Sequence, residues 1–345
     1  MSPQSREDDS EAPHPRQTTA LFGHAAAEAL LLSAYRGGRV PHAFLLVGPK
    51  GIGKATLAYR LARFVLAHPD PAAADVRAAA TLAIDPTHPV ARHVAAQAQG
   101  DLLVLERTVN DKGTLRQQIA VDDVRRTLSF FGSTAGEGGW RVAIVDAVDE
   151  LNRASANALL KVLEEPPERA LLLLVAHSAA RVLPTLRSRC RTVTLRPLAP
   201  ADVAAAAAAA MDLPADDAQV LPAAAAAEGS VARALALLDE NALALREGAL
   251  ALLDRLPALD TNAMHALGEA ITGSDPAPLT AFVDVVNAWL AQRLRGEGAA
   301  IARLARLAQA AERINAAARD AETYNLERKP LVFSVFGLLA EATRG

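Results

Sequence analysis

The sequence predicts an α/β domain with a parallel sheet built around a phosphate loop, followed by regions that are helical throughout. Three observations carry this expectation. Short apolar runs alternate with helical patterns up to about Arg196, and a GxxxxGK loop follows the first of those runs. Beyond Pro197-Leu198-Ala199-Pro200 the β signal stops and only alanine- and leucine-rich helical spacing remains.

At 345 residues the chain is long enough for two or three domains. Residues 1–16, rich in Ser, Pro, Asp and Glu, bury too little to offset ordering and read as a flexible tail. The α/β domain is expected over 17–196, with strands at 43–47, 102–105, 141–145, 171–176 and 192–195. Runs this apolar are covered on both faces, as in a parallel sheet. A small helical unit over 197–248 is punctuated by Pro222 and Gly229-Ser230, and a second helical block spans 249–345. Turns in the second block are expected at Gly273-Ser274-Asp275-Pro276 and Gly296-Glu297-Gly298.

Composition narrows the function. Hydrophobic residues make up 51% of the chain, but the alanine runs at 204–210 and 223–227 supply helix propensity more than bulk. No stretch offers the ~20 bulky apolar residues of a membrane span, and the N-terminus is polar and acidic, so a cytoplasmic address is expected. The single cysteine, Cys190, excludes an internal disulfide and any multi-cysteine metal site. A net charge of −3 lacks the basic excess of an autonomous duplex binder, so contact with DNA would draw its charge from partners.

After the first strand comes Gly48-Pro49-Lys50-Gly51-Ile52-Gly53-Lys54-Ala55, and Thr56 continues into a helical pattern. Glycines let backbone N–H groups turn inward around a phosphate, the helix N-terminus adds positive potential, and Lys54 would neutralise β- and γ-oxygens. ATP or ADP is the expected ligand. A glycine-rich turn that binds nothing would carry the same letters. Ala55 stands where Ser or Thr would give Mg²⁺ a hydroxyl, and Thr56 comes one residue late. Mg²⁺ coordination is therefore in doubt.

The run 141–145 ends in Asp146, placed to orient Mg²⁺ or its water. The next position, where phosphate-loop enzymes carry a water-positioning Glu, is Ala147. Asp149 and Glu150 lie too far along to replace it and read as charges at the start of the next helix. Two missing groups at one centre predict nucleotide binding without efficient turnover.

The segment Asn157-Ala158-Leu159-Leu160-Lys161-Val162-Leu163-Glu164-Glu165-Pro166-Pro167 resembles the ANALLKxLEEPP signature of the bacterial DNA polymerase III clamp-loader AAA+ family. Leu186-Arg187-Ser188-Arg189-Cys190 is similar to its SRC motif, and the resemblance covers nearly all of 20–240. It implies an AAA+ P-loop domain, a helical lid and an all-α collar for oligomerisation. It further implies that Arg189 acts in trans, reaching toward ATP held by a neighbouring subunit. An Arg bound to a local carboxylate is the alternative. Phe22-Gly23-His24 and Val40-Pro41-His42 resemble the entry to the nucleotide pocket, although either histidine could equally pack. Gly229-Ser230-Val231-Ala232-Arg233 resembles the lid motif whose Arg contacts nucleotide, set against a plain surface helix Arg.

Ala55 and Ala147 match the delta prime branch of that family better than the gamma/tau motor subunits, which keep Thr and Glu at these positions. The resemblance implies a hetero-oligomer with gamma/tau and delta, meeting the sliding clamp and primed DNA through the complex, with no membrane. The four-cysteine zinc module common in the family has no counterpart in 67–100, where His68, His88 and His93 lack thiol partners, so no zinc is expected. Two further functions compete with the scaffold reading: a gamma/tau-like ATP-hydrolysing motor, and a small-molecule phosphotransferase that would leave the LEEPP and SRC elements unexplained. No carboxylate cluster suggests polymerase chemistry in the chain itself.

Overall fold

The computed structural model describes residues 13–38, 40–108, 116, 118–132, 139–214, 216–238, 240–273, 277–295, 301–324 and 326–344. The expected turns at 274–276 and 296–298 and the first twelve residues of the tail lie outside them. The chain divides into two compact units, Met1–Leu235 and Ala236–Gly345.

The first unit runs α1 (Ala25–Arg36), β1 (Ala43–Val47), α2 (Lys54–Ala67), α3 (Ala74–Ala78), α4 (Pro89–Ala95), β2 (Leu102–Glu106), α5 (Val121–Gly132) and β3 (Arg141–Asp146). After a 3-10 turn at Val148–Glu150 come α6 (Arg153–Glu164), β4 (Ala170–Ala176), α7 (Pro184–Arg187) and β5 (Arg191–Thr194). Helices α8 (Pro200–Met211), α9 (Val220–Ala226) and α10 (Val231–Ala236) complete it. All five expected strands form, in the order β2-β3-β4-β1-β5, and every pairing is parallel. The central strands β1 and β4 are buried at every position, as strands apolar on both sides require. At the edge, β5 alternates, burying only Val193 of Arg191-Thr192-Val193-Thr194.

Two cores flank the sheet. One joins α1 and α2 to it through Leu31, Tyr35, Leu57, Leu61 and Phe64; the other joins α5 and α6 through Val124, Phe131, Leu159 and Val162. The side chain of Asn152 caps α6 by accepting from Ser155 N at 2.8 Å. The helix stops at Glu165 because Pro166-Pro167 cannot donate to the preceding turn.

The cysteine-free stretch 67–100 is fastened without metal ligands. Val76, Leu82 and Val94 are buried in the core below α2. Tyr35 packs edge-on to Phe64 and donates its hydroxyl to His68 O, and Trp140 Nε1 donates to Pro69 O at 3.1 Å. Glu28, itself buried, accepts from Arg60 Nε at 2.6 Å and from Leu82 N at 2.9 Å, tying α1, α2 and this stretch together. Among the described residues no group of three His, Cys, Asp or Glu is placed to hold a metal ion.

The end of the tail departs from expectation. Residues 13–16 are in ordered structure, because Arg63, almost wholly buried, donates to Pro15 O, Arg16 O and Thr18 O at 3.3, 2.6 and 3.0 Å. A chain whose carbonyls are bound this way needs no apolar side chains to become ordered.

The second unit contains α11 (Glu240–Asp254), α12 (Thr261–Ala270), α13 (Ala277–Arg295), α14 (Ile301–Thr323) and α15 (Lys329–Thr343). Phe282, Phe336, Leu279, Val332 and Ile314 form its core. Asn287 and Asn315 exchange amide hydrogen bonds at 2.9 and 3.0 Å, fixing the alignment of α13 on α14. Helix α11 runs unbroken through 248/249, where the sequence suggests a boundary; Gly248 has room there and does not stop it. No helix among the described residues is long and apolar enough to cross a membrane.

Candidate nucleotide-binding site

The phosphate loop leaves the C-terminal end of β1. Gly51 and Gly53 hold φ values of +78° and +95°, a region open to glycine and costly for other residues. At Gly51 a side chain would also collide, since an added Cβ would lie 2.3 Å from Ser230 Oγ and 2.7 Å from Ala232 Cβ. The loop is tied to the start of α10: Ser230 Oγ donates to Lys50 O at 3.1 Å and Ala232 N to Gly51 O at 3.2 Å. His24 Nε2 lies 2.7 Å from Ile52 O, so the first helix grips the same loop.

Lys54 opens α2, whose N-terminus has no side-chain cap, leaving its first N–H groups free for an anion. The Lys54 side chain is buried and donates to Pro49 O. Burial pushes its ammonium down to about 8, opposed by the nearby Asp146 and Asp149 carboxylates. Asp146, at the tip of β3, is moved the other way: burial raises it to about 6, Lys54 pulls it down, and Glu106 and Glu150 add to the rise.

An acid raised from 3.8 binds its proton more readily in the folded chain, so its stabilising effect is lost as pH climbs through the window up to about 6. Wild-type protein is therefore expected to lose stability relative to Asp146→Asn between about pH 4 and about pH 7. Thermal melts of the two proteins across that range check the sign.

These groups border a cavity of ≈ 1000 Å³ in the first unit, ample for a nucleotide. Lys50, Gly51, Ile52, Gly53, Lys54, Ala55, Thr56 and Asp146 all line it. Thr56, one residue late in the loop, borders it as well. Gly48 and Pro49 do not: Gly48 packs on Leu195 O, where an added Cβ would come within 2.5 Å, and Pro49 lends its carbonyl to Lys54. The opposite wall is apolar, made by Leu21, Phe22, Leu198, Ala206, Ala210, Val231 and Leu235.

Other expected site residues lie apart. Arg233 is not in the lining and pairs with Glu228 at 2.9 Å, although its neighbours Val231 and Ala232 are in it. His42 precedes β1, at the end of the strand away from the loop. Arg189 is bound to Glu164 at 2.8 Å and donates to Thr185 O at 3.0 Å. The two signature segments therefore meet, and the local carboxylate partner set against the trans role exists within the chain.

The site also holds residues that the sequence did not single out. Glu106, at the tip of β2, is the register partner of Asp146 and lines the cavity beside it. His14 lines it from the N-terminal segment, and His177 from the end of β4 with its Nδ1 buried and without a hydrogen bond. Burial, and then Lys54, hold the His177 imidazole below its usual range. Asp149 sits in the first turn of the 3-10 helix Val148–Glu150. Its buried carboxylate accepts His177 N and Ser178 N at 3.0 and 3.1 Å, joining the 3-10 turn to β4. Glu150 pairs with Arg107 at 3.0 Å.

A parallel sheet with this loop, its lysine and an acid at the tip of the next-but-one strand defines an α/β phosphate-loop protein of the AAA+ class. A family described as DNA polymerase III, delta subunit, matches residues 23–199. The chain is 41% identical over 160 residues to DNA polymerase III subunit delta' of Pseudomonas aeruginosa, a match spanning 45% of this chain and 43% of that one. It is 32% identical over 172 residues to the delta' subunit of Escherichia coli, covering 48% and 46% of the two chains. With DNA polymerase III subunit gamma/tau of Mycobacterium tuberculosis it shares 31% over 188 residues, 54% of this chain and 30% of that one. The matches thus span less than half the length of these relatives. The chain belongs to the DNA polymerase III delta subunit family.

Proposed function

We propose that this chain is a delta prime-type subunit of a bacterial clamp loader, a cytoplasmic replication component of the DNA polymerase III holoenzyme. It joins gamma/tau and delta subunits in a hetero-oligomer that places a sliding clamp on primed DNA with ATP. In this reading α8–α10 form the lid and the helices of the second unit form the collar.

One observation carries the assignment within the family. The loop, Lys54 and Asp146 are assembled around a nucleotide-sized cavity, but Ala55 and Ala147 stand where a metal-binding hydroxyl and a water-positioning carboxylate would be. The glycine cradle, the uncapped start of α2 and Lys54 fit the phosphates of ATP or ADP. The missing hydroxyl makes a poor Mg²⁺ site. Catalytic influence is then exported through Arg189, whose Glu164 partner holds the guanidinium half-exposed and ready to exchange partners. Native mass spectrometry of the chain mixed with gamma/tau and delta subunits tests the proposal. A complex containing both partner types supports it, and failure to associate contradicts it.

The gamma/tau-like motor keeps one observation in its favour. Glu106 and Glu150 both line the cavity and could in principle orient water. Each is engaged elsewhere, Glu150 with Arg107 and Glu106 with His14, which argues against that use.

A further inference from the structure

We propose that His14 is a positioning residue of the nucleotide site, occupying the Glu106 carboxylate so that the phosphate half of the cavity can accept an anion. This rests on the nucleotide reading above. Glu106 and Asp146 end adjacent parallel strands in register, so their carboxylates face the same cavity a strand spacing apart. Lys54 stands near Asp146 and offsets it. No lysine or arginine is paired with Glu106 among the described residues, and its contact partner is the His14 imidazole, Nε2 to Oε2 at 3.4 Å. That contact, opposed by burial and helped by the nearby Arg16 charge, holds the Glu106 carboxyl below its usual range.

The tautomer is set by the backbone. His14 Nδ1 accepts from Arg16 N at 3.1 Å, which leaves the hydrogen on Nε2, directed at Glu106. The ring itself is placed from two sides. It sits edge-on to Tyr59 of α2, with centroids 6.0 Å apart. The segment that carries it is pinned by Arg63 through Pro15 O, Arg16 O and Thr18 O, and by Arg60 Nη1 to Thr19 O at 2.6 Å. Residues 13–22 thus form one wall of the cavity and bring to its phosphate end the only ring that meets Glu106 among the described residues. Without His14, the Glu106 carboxylate would lose its nearest donor, keep only the more distant Arg16 charge, and be free to turn toward the incoming phosphates, where like charges at a partly enclosed site oppose binding.

Titration of a fluorescent ATP analogue into the full chain tests this with four proteins: wild type, His14→Ala, Glu106→Gln and the double variant. His14→Ala is expected to bind about tenfold more weakly, the scale of one poorly screened like-charge contact. Glu106→Gln binds at least as tightly as wild type, and the double variant returns to the Glu106→Gln level. If His14 served only to pack the N-terminal segment, the double variant would be as weak as His14→Ala. That outcome overturns the inference, as does weaker binding by Glu106→Gln or unchanged binding by His14→Ala. A wild-type chain that binds no nucleotide overturns the nucleotide reading and this inference together, whereas binding by wild type with His14→Ala unaffected removes the inference alone.

Discussion

In a clamp loader assembled with gamma/tau and delta subunits, Arg189→Ala is expected to lower ATP turnover at the adjoining site by about a thousandfold, the lower end of what an arginine finger contributes. In the proposed trans role, charge that develops on the transferred phosphoryl group would be met by a planar guanidinium supplied from across the interface, at a site from which water is excluded. Among the described residues that guanidinium makes an exposed pair with Glu164 and meets the Thr185 carbonyl of α7. Exposed pairs of this kind add little to stability, so the variant should melt as wild type does. Arg189→Lys should fail to restore turnover, since an ammonium keeps the charge but not the fork. Steady-state ATPase and clamp-loading assays on the complex measure the effect. An Arg189→Ala complex with undiminished turnover assigns Arg189 to its local carboxylate alone.

Lys54→Met is expected to weaken nucleotide binding to the isolated chain by about a hundredfold or more, the scale of losing a charge-assisted contact to phosphate oxygens. Methionine keeps the apolar stem, so the buried space stays filled. The fold should not suffer. A lysine whose ammonium is lowered to about 8 by burial costs the folded chain stability below that pH, and the cost is relieved as pH rises toward 10.5. At neutral pH Lys54→Met should therefore melt at or above the wild-type temperature while binding nucleotide poorly. Weak binding together with a lowered melting temperature would instead make Lys54 a structural residue held by Pro49 O.

Much of the first unit was legible because its strands are buried on both faces. A run such as Leu171–Ala176 has no other comfortable place, and all five runs appear within one residue of their expected ends. The loop and Asp146 were legible for a related reason: chemistry at the end of an apolar strand leaves a polar residue directly after an apolar run. Glu106 carries the same mark, one residue past 102–105, and could have been found by applying the Asp146 rule to every strand.

His14 could not. It lies in a stretch whose composition reads as disorder, and its position depends on Arg63, a distant helix residue that binds the carbonyls of 15, 16 and 18. The contacts of Asp149 were hidden because its acceptor role depends on two backbone N–H groups at the end of β4, nearly thirty residues away in sequence. The 248/249 division lay inside a helix that one glycine does not interrupt. For His14 and Asp149 the decisive contact joins distant parts of the chain, where composition and spacing carry no information.

The separation of nucleotide binding from nucleotide turnover is tested most directly by loading the purified chain alone with radiolabelled ATP and following phosphate release. With Ala55 and Ala147 in the site, bound ATP should persist with no release above the uncatalysed background. Steady phosphate release by the isolated chain, abolished in Lys54→Met, would contradict this and make the chain a motor in its own right.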